Sequence, residues 1–351
     1  MSPAGPTLPD VPAAEREQIV DPDPRVAVVI ITLNGRTRIA RALEHLTALP
    51  ERPEIVVIDN ASTDGTADLV RARFPQVRVL ELDENRGAAG RNVGVAAVEA
   101  PYVAWAEDDS WYEPGALRRA ADLLDAHPEV ALINAHVLVG PDRRPEPLHA
   151  DMVGTPVPDR PGLPGHRILS FLEGVSIVRR EAFAAVGGFD PVLHVGGPEE
   201  HLAADLLAAG WELRYVPEIR CRHVPDHGEP STYVRRRGLR NTLWFAWGRR
   251  PLGPALRWSL HVLRDSPPTA ATALGVLDAL RGLPRVLRTR RPLPRAVERD
   301  MALLDEPKMR SKVRRYGRSS AASHEIGSPL PRPRTPSSAS TPASASRRTA
   351  P

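Results

Sequence analysis

The chain has 351 residues, enough for one large domain or two smaller ones around a sizeable core. Its 42% hydrophobic content fits a soluble globular protein, while 38 prolines point to irregular segments. A formal charge of +4, carried almost wholly by arginine, permits contact with phosphates, nucleic acid or anionic lipid without choosing among them. The single cysteine, Cys221, excludes an intramolecular disulfide and a cysteine-based zinc site, and reads as a small buried side chain. There is no basic-then-apolar leader and no run of about 18 apolar residues, so the expected compartment is the cytoplasm.

Residues 1–24 are rich in proline, alanine and acid and read as a loose leader. VAVVII (26–31) is a continuous apolar run, as expected of a strand covered on both faces. A helix follows with Ile39, Leu43 and Leu46 at helical spacing. EIVVID (54–59) then leads into a helix near Asp64, VRVLEL (77–82) into a small-residue helix, and YVAWAE (102–107) into PGALRRAADLLDAH. Four strand–helix units in series predict an α/β domain with a mostly parallel sheet, which binds ligands beyond the carboxyl ends of its strands. In the second half, 130–139 is a predicted strand, 140–164 is turn-rich, EEHLAADLLAAGW is an amphipathic helix, and 212–224 holds one or two short strands. Arginine-rich helical segments run to about residue 310, and from Arg318 a Ser/Pro/Arg-biased tail lacks the apolar content to order itself.

Three stretches at strand ends carry the chemistry. In VAWAEDDSW (103–111) the acids Glu107, Asp108 and Asp109 repel one another, and alone they read as a solvated loop. A strand end of this kind equally suits Mg²⁺, which takes one or two carboxylates and completes its shell with water and substrate phosphates. In IDNASTDGT (58–66), Asp64 reads as a helix cap; Asp59 is not needed by the cap and is free to accept from a base or ribose. The glycines of NRGAAGRNVG do not fit a dinucleotide fingerprint and instead permit close helix–sheet packing, which leaves Asn85, Arg91 and Asn92 unexplained. Trp105 and Trp111 flank the acids and read first as packing residues, with Trp111 also an acceptor platform.

The ordered set VVIITLNGR, IVVIDNASTDGT, NRGAAGRNVG, AEDDSWYEPGAL, GVSIVRREAFAAVGGFD and GGPEEHLAADLLAAGWELRYVPEIRCRHV resembles the family 2 glycosyltransferases of the GT-A fold, over roughly residues 25–250. The resemblance implies a GT-A domain at 25–230, with a nucleotide-binding half at about 25–127 and an acceptor half at about 128–230. A basic helical extension at 231–317 and a disordered tail at 318–351 would follow. It implies inverting transfer of a sugar from a nucleotide diphosphate to a hydroxyl acceptor, with Mg²⁺ or Mn²⁺, in glycan synthesis of the cell envelope. Thr32, Asn34, Asp59, Asp64, Asn85, Arg91, Glu107 and Asp108 would hold the nucleotide sugar, and Trp111 and Asp190 the acceptor. Two departures stand out: the acidic motif reads Glu-Asp-Asp, and Glu199-Glu200 replaces a Glu-Asp pair. Aligned on Pro114, Asp109 becomes the metal ligand, with His223 as a second or as an ordinary strand-end histidine. Glu200 inherits the role of base, with Glu199 its rival.

A non-catalytic alternative is an arginine-rich protein binding nucleic acid or an anionic membrane through residues 235–295; it leaves the ordered motifs unexplained. A nucleotidyltransferase would need a Gly-rich loop after the first strand, which TLNGRTR does not supply. For the enzyme, a lipid-linked or glycan acceptor implies peripheral contact with the inner membrane face, and no nucleic acid is expected. RRRGLRNTLWFAWGRRP (235–251) interleaves arginines with Leu243, Trp244, Phe245 and Trp247, and suits a membrane interface or a core equally. Residues 269–291 read first as a helix packed back on the catalytic domain.

Overall fold

In the computed structural model, residues 22–225 and 231–310 are described; the expected leader up to residue 21 and the expected tail from 318 lie outside them. Within the expected leader, Asp23 is buried and pairs with Arg25 at 2.6 Å.

β1 (Val26–Thr32) is buried at all seven positions, because alternate residues serve two different layers. Val26, Val28 and Ile30 face one core with α1 (Ile39–Thr47), α2 (Thr66–Arg73) and α4 (Ala116–Ala126). Ala27 and Val29 face the other, with α3 (Gly90–Ala96), α6 (Arg180–Ala185) and α7 (Pro198–Ala208). β2 (Glu54–Asp59) and β4 (Tyr102–Glu107) flank β1 in parallel, and β3 (Arg78–Glu81) extends the sheet beyond β2. The packing expected of the small-residue helix is observed: a Cβ on Gly94 would stand 2.3 Å from Val29 Cγ1.

The other half of the sheet explains why the second half of the sequence is harder to read. After the short strands β7 (Arg144–Pro145) and β8 (His166–Arg167) and the short helix α5 (Leu148–Val153), β9 (Ser176–Arg179) slots antiparallel between β4 and β6 (Val130–Val139). β10 (Glu212–His223) runs parallel to β6 as one twelve-residue strand, where one or two short strands were expected. Its register shifts between Val216 and Arg220, around Pro217, which has no N–H to give to a ladder. β5 (Ser110–Tyr112), absent from the sequence reading, exists because it pairs antiparallel with the end of β10.

The extension is a helical layer: α8 (Thr232–Arg249), α9 (Leu252–Asp265), α10 (Ala270–Arg288), α11 (Arg295–Leu303) and α12 (Asp305–Arg310). Ser231 caps α8 by accepting from the Val234 N–H. The aromatic segment of α8 packs inward, as the core reading of 235–251 expects: Phe245 is buried in the catalytic domain's layer, and the half-buried Trp244 and Trp247 donate to the Ala279 carbonyl and to Ser259. Among the described residues no helix is long and apolar enough to cross a membrane.

Candidate active site

The site grows from the level ends of β1, β2 and β4. Thr32 pairs in register with Asp59, and Ile31 with Glu107, so the next residue, Asp108, arrives beside Thr32. Thr32 Oγ1 donates to Asp108 Oδ2 at 2.6 Å, and Arg38 adds contacts at 2.9 and 3.1 Å. Gly35 leaves the room this needs, since a Cβ there would lie 2.2 Å from Asp108 Oδ2. Thr32 and Asp108, both expected on the nucleotide, are therefore bonded to each other. Burial pushes the Asp108 carboxyl up, with Arg38 pulling against it.

Glu107 and Arg91 form the buried floor. Arg91 Nη2 lies 3.2 Å from Glu107 and Nη1 3.6 Å from Glu173, and the arginine is wholly enclosed. Burial lifts the Glu107 carboxyl well above its usual range; Arg91 opposes this, while Asp109, Glu173 and Asp108 add to it. Arg91, expected to grip the nucleotide directly, is instead sealed under the acids it neutralises. Glu173 was missed; its signal, a glutamate in the otherwise apolar run FLEGVSIV, is weak without the fold.

Asp109 and His223 meet because of β5 and β10. Ser110 pairs with His223, and the Val224 N–H donates to the Asp109 carbonyl at 3.0 Å. His223 Nε2 then stands 3.4 Å from Asp109 Oδ2. Both His223 Nε2 and Asp109 Oδ1 are buried without a hydrogen-bond partner. A carboxylate oxygen and an imidazole nitrogen left unsatisfied side by side fit a divalent cation. Among the described residues no group of three or more metal-binding side chains occurs, so a cation would take its remaining ligands from substrate and water.

The loops after β1 and β2 are tied to each other. The Asn34 N–H donates to Ser62 Oγ at 2.8 Å, and its Oδ1 accepts from the Thr63 N–H at 2.9 Å. Asp59 accepts from the Ser62 N–H at 2.7 Å, and burial raises its carboxyl. Asp64 accepts from the Thr66 and Arg36 N–H groups, tying the two loops together, although the residue at the cap of α2 is Gly65 and not Asp64 as expected. Asn85 Oδ1 accepts from the Gly87 N–H. Asn60, not singled out from the sequence, is fully buried and clasps the same segment through the Gly87 carbonyl and the Arg86 N–H.

Across from the sheet edge, α7 begins after Gly197, whose φ of 106° only glycine adopts readily. Glu199 and Glu200 occupy its first turn and diverge. Glu199 carries a carboxyl pushed up to about 8, chiefly by burial, with Glu173 and Glu200 adding to it. Glu200 instead faces Lys308, 3.9 Å away on α12. Trp111 is packed, stacked on His45 with ring centres 4.3 Å apart, in line with the packing reading. Asp190 is half exposed, accepts from the Val192 N–H, and lies 3.8 Å from Arg285.

Acids gathered at the carboxyl ends of parallel strands, where α/β sheets bind ligands, fit a GT-A-type nucleotide-sugar site. Residues 27–187 match the model described as Glycosyl transferase family 2. It is 28% identical over 275 residues to the N-acetylglucosaminyl-diphospho-decaprenol L-rhamnosyltransferase of Mycobacterium tuberculosis, covering 66% of this chain and 89% of the relative. Staphylococcus aureus TarS 1-349, solved with UDP-GlcNAc, shares the fold at a TM-score of 0.55 and 16% identity, over 81% of this chain and 85% of that one. GalNAc-T7, solved with UDP, GalNAc and Mn²⁺, does so at a TM-score of 0.54 and 16% identity, over 73% of this chain and 54% of that one. The chain is a glycosyltransferase that uses a nucleotide-sugar donor.

Proposed function

We propose that the enzyme inverts the anomeric carbon, depends on a divalent metal, and extends a lipid-linked or other envelope glycan at the inner face of a membrane. The observation that carries the mechanism is the placement of Glu199, an acid with a raised affinity for protons in the first turn of α7 and within electrostatic reach of Glu173. As an acceptor hydroxyl attacks the anomeric carbon, the new C–O bond forms while the bond to the diphosphate oxygen breaks. Glu199 takes the hydroxyl proton, and the bonding pair leaves with the diphosphate. This reverses the order expected for the two glutamates, because Glu200 is directed to Lys308. Asp109 and His223 would hold the metal, which when bound supplies charge neutralisation to the departing diphosphate. Asp59 would accept from the base or ribose, Asn34 would shape the nucleotide loop, and Arg91 would keep Glu107 in place. Asp190, half exposed beside the α7 approach, stays an acceptor contact.

The mycobacterial relative is named for transferring L-rhamnose to N-acetylglucosaminyl-diphospho-decaprenol, which supports a lipid-linked sugar acceptor here. A thermal-shift screen of UDP-, GDP- and dTDP-sugars with and without Mn²⁺ tests the reading. A selective rise that needs both donor and metal is expected; no rise with any pair would contradict it.

A further inference from the structure

α9 and α10 leave leucines in solvent. On α9, Leu252, Leu256, Leu260 and Leu263 are 59%, 52%, 60% and 43% exposed, and their spacing puts them along one side of the helix. On α10, Leu277, Leu280 and Leu287 are likewise exposed, while Ala271, Gly275 and Ala279 face inward. Inward, Val262 and Ala279 share a small cluster with Leu239 and Leu243 of α8, so the outer leucines are not needed for the fold. Isolated exposed leucines are ordinary; two helical stripes of them are not.

We propose that this face of α9 and α10 is the surface by which the enzyme lies on an anionic bilayer. The inference rests on the membrane placement proposed above and names the element responsible. Charge decides the occupant. Between residues 252 and 291 the chain has seven arginines and two acids. Both acids are engaged, Asp278 by Arg236 at 2.6 Å and Asp265 by His261 at 3.7 Å. The exposed Arg257, Arg264, Arg281 and Arg288 accompany the leucines, and such a surface complements anionic headgroups. A second copy of the same face would instead set arginines against arginines. The Ser/Pro/Arg stretch 318–351 offers only Ile326 and Leu330 as large apolar side chains to cover it. The tryptophans of α8, which suggested an interface from sequence, point into the protein.

Co-sedimentation of the full chain with phosphatidylglycerol-containing and pure phosphatidylcholine vesicles tests the assignment at low and moderate salt. Binding to anionic vesicles only, weakened by salt, is expected, and Leu256→Asp/Leu260→Asp/Leu280→Asp should lose roughly tenfold or more in vesicle affinity. That variant should keep its transfer rate on a soluble acceptor analogue, since none of the three lies at the active site. No vesicle binding by the wild-type chain would remove the membrane placement itself. Wild-type binding unchanged in the triple variant would keep the placement and overturn this surface. Self-association of the wild type without lipid, abolished by the triple variant, would hand the face to a second copy.

Discussion

At the residue scale, two of the three consecutive acids have a cationic counterpart, Glu107 in Arg91 and Asp108 in Arg38 with Thr32, while Asp109 stands beside His223 with Oδ1 unsatisfied. Arg91→Met should leave Glu107 and Glu173 buried without a cation, at a cost of about 3–5 kcal/mol. A drop in melting temperature on the order of 10 °C is expected in calorimetry, and an unchanged melt would mean the pair is not structural. Asp109→Asn should abolish metal-dependent donor binding in titration calorimetry while preserving the fold; undiminished metal-dependent affinity would remove Asp109 as a ligand. Glu199 also has a stability signature. Its folded-state value, about 8, lies above the ordinary 4.5, so its contribution is full below the ordinary value and fades as pH rises through about 8. Relative to wild type, Glu199→Gln should therefore gain melting temperature as pH goes from about 6 to about 9. A difference that stays flat with pH would show that the carboxyl is not held protonated.

At the element scale, α8 anchors the loop that leads into α7 and Glu199. Asn241 Nδ2 donates to the carbonyls of Leu193, Val195 and Gly196, and Arg240 to those of Val192 and Leu193. Asn241→Leu should lower kcat by about tenfold or more with donor affinity retained, because a misplaced base affects only the chemical step. Parallel losses in kcat and donor affinity would instead indicate a general collapse. The sequence is most legible in β1 to β4, where apolar runs and helical spacing repeat in order. Asp109 beside His223 is legible only through family resemblance, because a contact between β5 and β10 spans more than a hundred residues of chain. Arg91 and Trp111 show the same limit: residue type suits both a ligand contact and a packed interior, and only burial separates them. Tryptophans in α8 were ambiguous for that reason, whereas the leucines of α9 and α10 gave no local sign of which would stay outside.

At the scale of the whole molecule, the helical layer is part of the enzyme rather than an appendage. Arg250 is buried between Glu298 at 2.9 Å and Asp305 at 2.6 Å, and Arg249 reaches Asp205 of α7 at 2.7 Å. Val297 and Met301 of α11 complete the catalytic domain's own core. Truncation before Arg295 should therefore destabilise the chain by several kcal/mol, on the order of the cost of breaking a buried pair plus two lost core side chains. Truncation before Arg318 should leave melting temperature and turnover unchanged. Equal melting curves for the two truncations would contradict this picture of the layer.

The central claim is that Glu199 is the general base of sugar transfer, and single-turnover kinetics of Glu199→Gln beside Glu200→Gln test it most directly. Glu199→Gln should bind donor normally yet lose transfer by about 10²–10⁴-fold, and the rising limb of the wild-type pH profile, centred near 8 in the free enzyme, should disappear with it. Glu200→Gln should stay within a few-fold of wild type. Near-normal transfer by Glu199→Gln, with the collapse falling on Glu200→Gln, would contradict the account.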